Sequence, residues 1–78
     1  MSLRLKPIIK KIMSILKKHG FCIVRIRGDH IIINRNPSLK RPIVLVNVKK
    51  LSNAVRQNLI KECKEVGIKT KELEIILN

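Results

Sequence analysis

The sequence predicts a small α+β fold: a helix, a three-stranded antiparallel sheet, a second helix and a short C-terminal helix. Three observations predict it. Apolar residues recur at helical spacing over residues 5–19, two β-prone runs flank Gly28-Asp29 with a third at 42–48, and helical spacing returns after Ser52. Sequential strands this short favour an antiparallel meander with the helices on one face. The chain has 78 residues, room for a single domain over 1–78.

In the first element Leu5, Ile8, Ile9, Ile12, Ile15 and Leu16 form one stripe, with Lys6, Lys10 and Lys17 opposite and Lys11 and Lys18 at its margin. Pro7 suits the first turn, and Gly20 suits the position just past the last. His19 lies near that end, where a histidine usually packs or caps. A two-residue Gly28-Asp29 loop is a hairpin signal. It sets Arg27 opposite His30, Ile26 opposite Ile31, Arg25 opposite Ile32 and Val24 opposite Ile33. Cys22, Val24, Ile26, Ile31 and Ile33 then share the core face, while Ile23, Arg25, Arg27, His30, Ile32 and Asn34 share the other. Residues 36–41 read as a polar loop and 42–48 as the third strand, apolar on both faces, so its pairing stays open. Ser52 or Asn53 caps a second helix lined by Val55, Leu59, Cys63 and Val66, which Gly67 stops. Thr70 caps the last helix, whose Leu73, Ile76 and Leu77 face inward.

Charge points to a partner class. Eighteen Lys and Arg oppose five Asp and Glu, a net charge of +13. Four of the acids, Glu62, Glu65, Glu72 and Glu74, fall in the last seventeen residues, so residues 1–61 carry fifteen bases against Asp29 alone. A polyanion relieves such self-repulsion by exchanging its counterions for the protein's cations, which makes nucleic acid the expected partner. Codon bias could supply part of the lysine, yet it does not remove acids from the first sixty residues. The apolar runs, such as 43–46, are far too short to span a bilayer, and the start of the chain shows no signal-peptide pattern. Cys22 and Cys63 both read as buried, reduced thiols. These features predict a cytoplasmic protein without a membrane partner.

Isolated glycines, one Asp and two separated His leave no phosphate loop, paired carboxylates or metal centre, so no cofactor or metal is expected. What remains is His30. It opens the second strand on the cationic face, opposite Arg27 and close to Arg25, with Gly28 and Asp29 forming the turn that positions it. A neutral imidazole there can take the proton of an RNA 2′-OH, which attacks the adjacent phosphate with no metal or water to position. The guanidinium groups stabilise the charge that grows on phosphorus. One acid–base group supplies about 10²- to 10⁴-fold, a modest nuclease. The bland alternative is a His30 that only donates a hydrogen bond to phosphate. With Phe21 the single aromatic, base stacking cannot carry recognition. Arg25, Arg27, Lys10, Lys17, Lys49 and Lys50 are the expected RNA contacts. Neutralising about six phosphates would give a log–log salt slope near −4.

The run Ile15-Leu16-Lys17-Lys18-His19-Gly20-Phe21, followed by Val24-Arg25-Ile26-Arg27-Gly28-Asp29-His30, resembles the HicA toxins of prokaryotic toxin–antitoxin systems. So does Leu59-Ile60-Lys61-Glu62-Cys63-Lys64-Glu65-Val66-Gly67-Ile68, and the resemblance extends over about residues 8–77. It implies a double-stranded-RNA-binding-domain-like fold and a ribosome-independent mRNA interferase with His30 of the Gly-x-His turn as its catalytic residue. It also implies a HicB-like antitoxin covering the active face. Asp29 stands where the family usually has Ser. The stretch Val46-Asn47-Val48-Lys49-Lys50 lacks the Pro and His that many members carry after the third strand, leaving Lys49 and Lys50 to substitute. The competing expectations are a non-catalytic RNA-binding module on the same face, and a subunit whose charge serves only an acidic protein.

Overall fold

A computed structural model describes residues 4–35 and 40–77. The order is α1 (Pro7–Lys18), β1 (Cys22–Arg27), β2 (His30–Asn34), β3 (Ile43–Val46), α2 (Asn53–Glu65) and α3 (Lys71–Leu77). This is the expected α+β arrangement. Residues 36–39 of the expected polar loop lie outside the described residues.

Each helix ends where the sequence supplies the chemistry to end it. At the close of α1 the Phe21 N–H donates to Leu16 O at 3.1 Å and the Gly20 N–H to Lys17 O at 3.1 Å, the two bonds of a Schellman motif. The motif requires a left-handed residue, and Gly20 sits at φ +84°. Phe21 and Leu16 are both buried, providing the apolar contact that accompanies the motif. The same bonds close α2, from Gly67 N–H to Lys64 O and from Ile68 N–H to Cys63 O. At its start, Ser52 Oγ accepts from the Val55 N–H at 3.2 Å, so Ser52 is the cap. Thr70 is buried before α3, its carbonyl accepting from the Glu74 N–H.

The sheet order is β1-β2-β3, antiparallel throughout. This resolves the third strand: Ile33 pairs with Ile43, Ile32 with Val44, Ile31 with Leu45 and His30 with Val46. Directly paired residues share a face, so Ile31, Ile33, Ile43 and Leu45 line the helix side, where all four are buried. They pack against Ile9, Ile12, Leu16 and Phe21, with Leu59, Cys63, Leu73 and Leu77 closing the core from α2 and α3.

Three of the four expected hairpin pairs form and the fourth does not. Arg27–His30, Ile26–Ile31 and Arg25–Ile32 pair as expected, but a bulge falls between Ile23 and Arg25. Ile23, not Val24, therefore opposes Ile33, and Ile23 joins the core. Val24 becomes the extra residue, 57% exposed. Cys22 pairs with Asn34 on the outer face and is exposed, which corrects the expectation of a buried thiol. Ile26 keeps its core-side register, yet on the edge strand it remains exposed. Cys63 is buried as expected; burial first, then the adjacent Glu62 carboxylate, push its thiol up to about 11. The third strand is shorter than 42–48 because Val46 pairs with His30, the first residue of β2, which leaves Asn47 and Val48 beyond the end of the partner strand.

Candidate nucleic-acid interface

The outer sheet face is built in rows by the register. One row is Arg27–His30–Val46, and beside it is Arg25–Ile32–Val44. This brings Arg25, Arg27 and His30 together, as the sequence predicts. No helix of the described residues covers them: His30 is exposed, as are Arg25, Arg27 and Val44. Val44 also lines a shallow groove with Val55, Asn58 and Glu62 on the β3 side.

The turn that carries His30 is held from two directions. Gly28 has φ +59° while Asp29 does not, which matches the two-residue turn with glycine first. The Asn47 N–H donates to Asp29 O at 2.8 Å, pinning the turn to the end of β3. The Asp29 side chain then reaches the histidine: His30 Nδ1 lies 3.0 Å from Asp29 Oδ1, with the side chains 56% and 63% exposed. A carboxylate can only accept, so the proton of this bond sits on Nδ1. In the neutral ring that leaves Nε2 as the lone-pair nitrogen, directed away from Asp29. Asp29 is therefore both part of the turn and an orienting group for the imidazole.

The lysines divide. Lys10 and Lys49 line one groove of about 690 Å³ together with Arg4, Lys6 and Lys11. Lys49 and Lys50 flank a smaller one that includes Arg56 and Leu77. Lys17 joins neither: it is seven residues beyond Lys10, about 10 Å along the helix axis. Among the described residues the one lysine–carboxylate pair is Lys18 with Glu72, at 3.1 Å. None of the six expected RNA contacts is neutralised by an acid there.

Arg4, Lys6 and Lys11 line the first groove and Asn47 adjoins it, although none of the four is among the expected contacts. The Asn47 side chain links Arg4 and Lys6 to the end of β3. Its Oδ1 accepts from the Lys6 N–H at 2.8 Å and its Nδ2 donates to Arg4 O at 3.0 Å. An Asn just past a strand of Val and Ile is the signal available in the sequence, but its partners are forty residues away. Among the described residues no three His, Cys, Asp or Glu side chains gather as metal ligands would. No helix of those residues is long and apolar enough to cross a membrane.

The chain matches no protein-family model, no curated protein and no solved structure.

Proposed function

We propose that this protein is a metal-independent endoribonuclease of the toxin type, acting on mRNA in the cytoplasm and neutralised by a HicB-like antitoxin. The observation that carries the reading is the His30 imidazole, in contact at Nδ1 with Asp29 and set on the outer sheet face between Arg27 and Val46. His30 Nε2 takes the proton of a 2′-OH. The O2′ then bonds to the adjacent phosphorus, and the bond from phosphorus to O5′ breaks. The leaving oxygen takes a proton, giving a 2′,3′-cyclic phosphate and a 5′-hydroxyl. Arg27, across the strand pair, and Arg25, in the next row, offset the charge added to the phosphoryl oxygens. DNA has no 2′-OH and is not a substrate for this step. The resemblance to HicA toxins supports the same assignment of His30 and supplies the antitoxin.

A second reading, a non-catalytic RNA-binding module, draws on the openness of the site. A histidine 56% exposed to water is less shielded than a strong general base requires. One experiment separates them. The protein and its His30→Ala variant are incubated with mRNA in chelator at low salt, and new ends are mapped. Cleavage by the unmodified protein alone, with cyclic or 3′-phosphate ends, is the expected result. Equal RNA binding with no cleavage by either protein leaves the binding module.

A further inference from the structure

The groove at the start of α1 is separate from His30 and carries its own chemistry. Five cations, Arg4, Lys6, Lys10, Lys11 and Lys49, line it, and no acidic side chain among the described residues does. Its remaining lining is apolar, from Leu5, Pro7 and Ile8. The cations come from three parts of the chain: the segment before α1, the first turns of α1, and the loop after β3. The Asn47 side chain fixes that convergence by bonding the backbones of Arg4 and Lys6. The same residue's N–H holds the Asp29 carbonyl. The groove is thus joined through Asn47 to the turn that presents His30.

We infer that this groove binds a single nucleic-acid strand, taking phosphates on its cationic rim and sugar or base surface on its apolar floor. It continues the path of the RNA that the outer sheet face engages, and in that respect it rests on the proposed function. An anionic lipid surface is the less suitable occupant, since a bilayer presents headgroups as a plane, whereas a groove admits a narrow strand. A strand also supplies what both parts of the groove need, charges alternating with apolar rings. Each phosphate neutralised on a single strand contributes about 0.7 to the log–log salt slope.

The test is made in a His30→Ala background, so that RNA stays intact. Binding of a labelled single-stranded oligoribonucleotide is followed by anisotropy across a salt series. Lys10→Gln/Lys11→Gln/Lys49→Gln removes three groove charges, and Lys61→Gln/Lys64→Gln/Lys69→Gln removes three exposed charges elsewhere. The groove variant is expected to flatten the slope by about 2, with the control near the parent. Equal slopes in the two triple variants would overturn the proposal, since net charge alone would then explain binding. Phosphatidylglycerol vesicles provide the other arm. If the groove variant loses vesicle binding while its RNA slope is unchanged, the groove is a lipid site and the inference fails. Failure of the unmodified protein to cut RNA would sink the nuclease reading and leave this measurement intact.

Discussion

Arg35 and Arg56 are used by the fold, whereas Arg25 and Arg27 are not. Arg35 lies 5.0 Å above the Phe21 ring and its Nη2 donates to Val66 O at 3.0 Å. Arg56 Nη1 donates to Leu77 O at 2.6 Å, at the close of α3. Both arginines satisfy helix-end carbonyls that lack a partner within their own helix. Arg25 and Arg27 stand on an edge strand, exposed, among valines and an isoleucine, and among the described residues neither forms an ion pair. Charges that satisfy carbonyls raise stability; charges left facing water oppose compaction unless a polyanion arrives. The net charge of +13 is therefore not one property. Part of it is structural, and the part on the sheet and in the groove is available for a partner.

The largest effect is expected at the exposed arginines. Arg25→Gln/Arg27→Gln should leave the melting temperature unchanged or slightly raised, because mutual repulsion is removed. RNA cleavage should fall by about 10²-fold or more, the scale of losing a charge that stabilises a transition state. Rate measurements at saturating RNA, with a thermal melt of the same sample, check both halves. A melting temperature that falls with activity would place these arginines with Arg35 and Arg56.

A smaller effect is expected on the closed side. Arg35→Ala removes a charged hydrogen bond and a cation–π contact, which together support the fold by about 2 kcal/mol. Urea unfolding should show that loss, with RNA affinity per folded molecule close to that of the parent. If affinity falls and stability does not, Arg35 belongs to the interface.

The same division explains how far the sequence could be read. Alternation alone placed Arg25, Arg27 and His30 on one face, since each lies across from a residue that the register fixes. It could not find the bulge at Val24. A strand can absorb one extra residue without changing its composition, and both Ile23 and Val24 suit a core. The slip carried Cys22 from the expected core to the surface, while Cys63, at regular helical spacing, stayed where the period put it. Helical phase placed Lys10 and Lys17 on one side of α1 but said nothing of which end meets Lys49. That depends on Asn47 reaching Lys6 across forty-one positions, a contact no local pattern encodes.

Asp29 sharpens the contrast at the scale of one proton. It is the one acid in the first sixty-one residues, and it faces the one histidine on the cationic surface instead of an arginine. A free neutral imidazole favours the form with its proton on Nε2, which would occupy the nitrogen that the proposed mechanism needs as a base. The 3.0 Å contact from Nδ1 to the carboxylate favours the opposite form. Nitrogen-15 shifts of the ring, read above the imidazole titration range, should show His30 enriched in the Nδ1–H form. In Asp29→Ala it should revert toward Nε2–H, with His19 unchanged as the internal reference. Cleavage should fall by about tenfold, less than for the arginines, because the ring can still reach the active form at a free-energy cost of about 1.4 kcal/mol. A His30 tautomer that ignores the substitution would mean that Asp29 serves the turn alone, through the carbonyl that Asn47 holds.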